Sequence, residues 1–251
     1  MKRLSVTRLT ASFYIIHGCK TLEMVDYMSL TPEEVVRYIQ KSEDENWLAE
    51  CIYFGAVKGL DGVRSDLSKL DDTDHIDRIL NPFLIQWGMM AQPLARKGMK
   101  WAQLGAKLRK LEPHFKTLRE ESLLHIKFED QANSAHIEEI YEELDSIKFV
   151  GPTAVSKILH LINPEIFIMW DKEIRGMYNV ADSSSGYLEF LGKNQRLLKT
   201  VFDDKQCNDL RSKFHKTLAK LIDEFNWYIA NEDHTPDISV IKRKVKRIYG
   251  R

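Results

Sequence analysis

The sequence predicts an all-α protein, and three observations carry that prediction. Apolar residues recur at three- and four-residue spacing along most of the chain, as in Leu210, Phe214, Leu218, Leu221 and Phe225. Thr31-Pro32-Glu33-Glu34 is a helix start: Thr31 is the cap, Pro32 takes the first helical position, and Glu34 completes a capping box. Glycine and proline punctuate the rest at Gly59–Gly62, Pro93, Pro113, Pro164 and Asp182–Gly186.

Taken in order, the first helix carries the stripe Val35, Val36 and Ile39. Further helices are predicted near 44–57, 75–92, 98–111, 134–146, 152–162, 172–179 and 204–230, with Ser134 as the cap of the fourth of these. Residues 120–133 are ambiguous, and LLHIKF reads as a short extended segment. The expected organisation is an N-terminal segment, 1–30, followed by one mostly helical domain, 31–251. That domain is expected to be a two-lobed bundle with a cleft, one side of which is formed by Thr31 to roughly Gln131.

A chain of 251 residues with 43% hydrophobic content can bury a sizeable core. The cysteines Cys19, Cys51 and Cys207 are scattered singly, which builds neither a disulfide framework nor a zinc or iron–sulfur site. The eight histidines show no metal spacing, and no metal or cofactor is expected; His160 reads as a core or boundary residue. No apolar run approaches the roughly 18 residues that span a bilayer, and residues 1–24 lack a signal-peptide layout. An intracellular, monomeric protein away from membranes is the expectation.

Net charge is zero, from 37 basic and 37 acidic residues, which weighs against nucleic acid as a partner. Distribution works the other way. Basic residues concentrate in Arg96–Lys110 and Lys242–Arg251, acidic ones at Glu43–Glu45, Asp71–Asp77 and Glu138–Asp145. Each run is a solvated helix face or part of one basic surface.

The segment from Ser134 to Tyr178 holds the most information. Ile137, Ile140, Tyr141 and Leu144 define one amphipathic helix, and Val155, Ile158, Leu159 and Ile162 define a second, joined through a short turn at Gly151-Pro152. The second helix begins with backbone N–H groups that can hold a phosphate. A lone aspartate, Asp171, then opens a third helix.

This arrangement resembles the helix-hairpin-helix DNA glycosylase superfamily, in the manner of endonuclease III and 8-oxoguanine glycosylase. The family hairpin reads roughly Leu-Pro-Gly-Val-Gly-x-Lys-Thr-Ala, with a catalytic aspartate some eighteen residues beyond the lysine. With the second family glycine on Gly151, Ile147 falls at the leucine, Val150 at the valine and Asp171 on the aspartate, eighteen residues after Thr153. The motif occupies 134–162. Two residues depart from the pattern: Phe149 replaces the first glycine, and Thr153 stands where bifunctional members carry a Schiff-base lysine.

The resemblance implies removal of a modified base from double-stranded DNA, with Asp171 as the catalytic carboxylate. Cleaving an N-glycosidic bond builds positive charge on the sugar, which an ionised carboxylate stabilises while orienting or deprotonating a water. The plain alternative for Asp171 is a helix cap. Thr153 has no amine, so base excision without strand cleavage is expected. Lys157, one turn later on the same face, is the candidate amine if lyase chemistry occurs. Lys148, Phe149, Gly151, Thr153 and Arg175 are the candidate DNA contacts, Phe149 as a wedge or a core anchor. Gln86, Trp87 and Trp170 are candidates to hold an extruded base. A second function class remains open: a non-catalytic DNA-binding or partner-binding protein on the same scaffold.

Overall fold

The capping box at the first helix forms as its sequence predicts. In a computed structural model of the protein, the Glu34 N–H donates to Thr31 Oγ1 at 3.2 Å and the Thr31 N–H donates back to Glu34 Oε2 at 2.9 Å. The structure describes residues 30–45, 47–88, 101–231 and Val245, with 47–49 and 86–88 in backbone only. The predicted N-terminal segment up to residue 29 and the basic run 242–251, Val245 apart, lie outside the described residues.

Helix dominates, and there is no strand among the described residues. Helix α1 is Pro32–Glu45 and α2 is Trp47–Arg64. The expected break at Gly59–Gly62 does not occur, because α2 runs through both glycines. Gly59 serves packing instead: a Cβ there would lie 2.7 Å from Ile79 Cδ1. A π-helical stretch, Asp72–Leu80, begins where Asp71 accepts the N–H groups of Thr73 and Asp74, both at 2.8 Å, and it runs into α3, Asn81–Gly88.

After α4, Trp101–Lys110, comes α5, Glu112–Thr117. Pro113, expected to be a break, sits in the first turn of α5, where a missing N–H costs nothing. Residues 120–130 form turns rather than an extended segment. Gln195 holds these turns, donating from Nε2 to the carbonyls of Leu123 at 2.8 Å and Ile126 at 2.7 Å.

Helix α6, Gln131–Asp145, is capped by Asp130, whose side chain accepts the Ala132 N–H at 2.8 Å; the expected cap, Ser134, lies inside the first turn. The hairpin leads to α7, Pro152–Ile162, and then to α8, Lys172–Tyr178. Helix α9, Ser184–Val201, has no counterpart in the sequence-based prediction, since Gly186 read as a loop residue. That glycine lets the helix start against Ala181, whose carbonyl oxygen would lie 2.0 Å from a Cβ. The single predicted helix at 204–230 is two, α10, Asp204–Phe214, and α11, Leu218–Asn231, separated by His215 in left-handed backbone at φ 53°.

Apolar side chains from Leu30 through Ala230 form one continuous core. Helix α1 lies along α11, α6 packs on α7 and α9, and α2 packs on α3 and α7. The Tyr178 hydroxyl lies 2.6 Å from Asn226 Oδ1 and 2.9 Å from Asn194 Oδ1, its one proton shared between them, and Asn226 Nδ2 donates to Asn194 Oδ1 at 2.9 Å, pinning α8, α9 and α11 together in the interior. Buried partners of this kind satisfy polar atoms that would otherwise cost a few kcal/mol each.

Candidate active site and nucleic-acid face

Asp171 reaches its position through the core. Between α7 and α8 the apolar run Ile166–Trp170 is buried and non-helical, so its backbone groups need partners from side chains. His160 Nδ1 contacts the Phe167 carbonyl at 2.5 Å, Tyr187 donates to the Ile168 carbonyl at 2.8 Å, and the Trp170 N–H donates to Ser156 Oγ at 3.1 Å. Burial pushes the His160 imidazole down to about 3, so it is neutral; the bond to Phe167 places its proton on Nδ1, and Nε2 accepts from Tyr53 at 3.0 Å. His160 is a core residue.

The run ends at Asp171, which caps α8 by accepting the Ile174 N–H on Oδ1 at 2.8 Å. The other oxygen, Oδ2, accepts a long bond of 3.4 Å from Asn231 Nδ2 at the end of α11. The carboxylate is half-buried and not enclosed. It thus combines a fixed orientation with access from solvent.

Lys157 lies behind it. Its residue is 9% exposed, on a helix whose every position from Val155 to Ile162 is buried, so it is no surface phosphate contact. Burial pushes its amine down to about 8, opposed by the carboxyl groups of Asp223 and Asp171. Asp223, on α11, is pushed up to about 7 by burial, with the Lys220 charge opposing.

Asp223 belongs to a buried ionic cluster joining α11 to α1 and α2. Lys220 Nζ contacts Glu224 at 3.0 Å, Glu50 at 3.1 Å and Asp223 at 3.5 Å, and Lys216 contacts Glu43, Glu50 and Glu224 at 2.8 to 2.9 Å. Burial alone raises Glu50, but the two lysines outweigh it and hold that carboxyl below its ordinary value.

The hairpin carries an unexpected feature at Phe149. Its φ is 74°, the left-handed region that an L side chain adopts at a cost, and it stands where the resemblance expects a glycine. The turn therefore keeps a glycine-like backbone without the glycine. The ring is half-buried against the core, and Lys148 Nζ sits 4.9 Å from its centroid. Gly151 has ordinary extended backbone at φ −103°, and a Cβ there would meet nothing within 4 Å, so the chain's own packing does not require a glycine. It caps α7 without a side-chain bond, beside half-buried Thr153.

The remaining candidates divide. Arg175 was expected on a common DNA-facing surface with the hairpin. Its side chain is 14% exposed, lies over the Trp170 ring at 5.2 Å and pairs with Asp182 at 3.6 Å, so it is committed within the fold. Trp170 is 1% exposed, packed on Tyr187 and Phe190, with its ring N–H donating to the Pro152 carbonyl at 3.1 Å. It is a wall of the core with no free face for a base. Gln86 and Trp87 fall in α3, where their side chains lie outside the described residues.

Sequence reasoning missed Asp223 and Asn231, which α11 brings to Lys157 and Asp171. Their spacing is visible in the sequence, but only tertiary packing, α8 on α11 among it, brings Asn231 to Asp171 and Asp223 to Lys157. Among the described residues no group of three His, Cys, Asp or Glu side chains is placed to hold a metal ion, and no helix is long and apolar enough to cross a membrane. Comparison of the chain with protein-family models, curated proteins and solved structures returns no match.

Proposed function

We propose that this protein is a DNA glycosylase that hydrolyses the N-glycosidic bond of a modified base in double-stranded DNA, without strand cleavage. The observation that carries the reading is Asp171: a carboxylate fixed at a helix start, open to solvent, and reached through the hairpin whose backbone at Phe149 is left-handed. Such a group stabilises positive charge developing on the sugar and orients the attacking water. Lys148 and the turn at Gly151–Thr153 would hold the DNA backbone, and the substrate would enter a cleft bordered by the helices around Asp171.

The test incubates the protein with duplexes carrying a panel of modified bases, each sample split with and without alkali. Alkali-dependent breakage at the modified position, lost in Asp171→Asn, supports the reading. A second reading, a non-catalytic DNA-binding or partner-binding protein, is favoured by the commitment of Arg175 to Asp182 and by the zero net charge. It expects duplex binding with no base release from any member of the panel.

A further inference from the structure

His114 on α5 and His136 on α6 stand 22 residues apart in the chain and meet Nδ1 to Nδ1 at 3.0 Å. Their sequence spacing carries no metal pattern; the packing of α5 on α6 brings them together. The rings meet nearly edge to face, with centroids 5.1 Å apart and planes at 77°, and both residues are half-buried, so solvent still reaches them. Neither Nε2 has a hydrogen-bond partner among the described residues. Each imidazole thus commits its hydrogen bonding to the other ring alone. Two facing nitrogen lone pairs repel, so the gap between them holds a proton or a cation. Glu139, one turn after His136 on the same face of α6, is exposed and in no ion pair among the described residues, which adds negative charge to the surroundings.

We infer that His114 and His136 are the two protein ligands of a divalent first-row transition metal ion of square-planar or octahedral habit, Ni(II) or Cu(II), which braces α5 against α6. Metal–imidazole bonds of about 2.05 Å set two ligand nitrogens roughly 2.9 Å apart at a right angle and roughly 3.3 Å apart at the tetrahedral angle. The 3.0 Å between the rings matches the right angle. Water takes the remaining positions, since no third His, Cys, Asp or Glu among the described residues is placed to join the pair. Loading the ion needs only a change of tautomer. The proton that one Nδ1 carries in the hydrogen-bonded pair moves to Nε2 of the same ring, which has no protein partner to lose, and both Nδ1 lone pairs then face the ion. About 14 Å of helix separates His136 from Asp145 at the hairpin end of α6, so the ion steadies the helix that leads into the hairpin and stands apart from the turn itself. The inference does not depend on the base-excision reading.

The test is calorimetric titration of the full chain with NiCl2 at about pH 8, where imidazole is free of competing protons. Saturable binding is expected, and His114→Gln and His136→Gln are each expected to weaken it roughly ten- to hundred-fold, no less than the loss of an outer-shell partner costs a metal site. His125→Gln, which removes an exposed histidine outside the pair, is expected to leave this binding unchanged. Ni(II) is also expected to raise the urea midpoint of the wild type and not that of the two pair variants, because only a bound ion stabilises the folded state. A readout on the wild type covers the case in which a variant fails to fold: Ni(II) below one equivalent broadens nearby protons, and is expected to erase two histidine ring signals before the others. Absence of saturable binding, binding as strong in both pair variants as in the wild type, or broadening spread evenly over the histidines overturns the inference and leaves a proton alone in the gap.

Discussion

Asn231 donates to Asp171 Oδ2 across 3.4 Å while the Ile174 N–H occupies Oδ1 at 2.8 Å, so each oxygen of this carboxylate has its own donor. The tighter bond belongs to the helix cap and the looser one to the solvent side. The cap therefore draws on one oxygen and leaves the other for the catalytic role proposed above.

That division separates the two roles by mutation. Asparagine caps a helix about as well as aspartate, so Asp171→Asn is expected to keep stability within about 0.5 kcal/mol, whereas Asp171→Ala loses about 1 kcal/mol. If Asp171 is catalytic, both variants lose base release in single-turnover assays while duplex affinity stays within a few-fold. Undiminished turnover by Asp171→Asn leaves Asp171 as a cap alone.

Phe149 gives a second prediction, on stability. Its left-handed backbone costs an L residue about 1 kcal/mol, which glycine avoids. The Phe149→Ala variant loses the half-buried ring and keeps the strain, while Phe149→Gly loses the ring and sheds the strain. The glycine variant is therefore expected to be the more stable of the two by about 1 kcal/mol in urea denaturation. The reverse order means that the turn does not hold φ positive at this position.

Buried stripes made α1 and α6 legible, and the start signals at Gly151-Pro152 and Asp171 made α7 and α8 legible, although α7 is buried on every side from Val155 to Ile162. The glycines misled in one direction, since both were read as breaks and both lie inside helices. Gly59 sits inside α2 for contact with Ile79, a tertiary reason that no local pattern carries, and Gly186 sits in the first turn of α9 for close approach to the backbone of Ala181, five residues earlier. Asp171 was legible as the residue that opens α8, which it caps. Its neighbours on α11 were not, since the approach of Asn231 depends on a contact sixty residues away in sequence. Burial decided the rest: Lys157, Arg175 and Trp170 have the residue types of a DNA-facing surface but point into the fold.

The buried cluster predicts a pH signature. Burial raises Asp223 from 3.8 to about 7, so the folded state holds that proton more tightly than the unfolded chain. The stabilisation from this group is complete below pH 3.8 and is lost as pH rises to about 7. His160 acts with the opposite sign: its folded value falls from 6.5 to about 3, so its contribution is present above pH 6.5 and is lost on acidification. The two effects oppose each other in the wild type. Removing the first with Asp223→Asn is expected to make stability climb more steeply with pH between about 4 and 7, by up to about 1.4 kcal/mol per pH unit. A variant curve parallel to the wild type would show that Asp223 ionises at its ordinary value.

The last prediction concerns the chemistry of Lys157. An amine pushed down to about 8 is deprotonated in roughly a tenth of molecules at neutral pH, far more than an ordinary lysine, so protonation alone does not prevent attack on the sugar. Access does. Only 9% of the residue is exposed, and Asp171 and Asp223 both act on the amine, so reaching a sugar carbon would require withdrawing it from both. Thr153, where the resemblance places the reactive lysine, carries no amine. Base release is therefore expected to leave an intact abasic strand that breaks only after alkali, with no protein–DNA adduct in borohydride. An adduct that disappears in Lys157→Ala and persists in Lys148→Ala would make Lys157 the nucleophile and the protein a combined glycosylase and lyase. An alkali-labile product without adduct leaves hydrolysis at Asp171 as the mechanism.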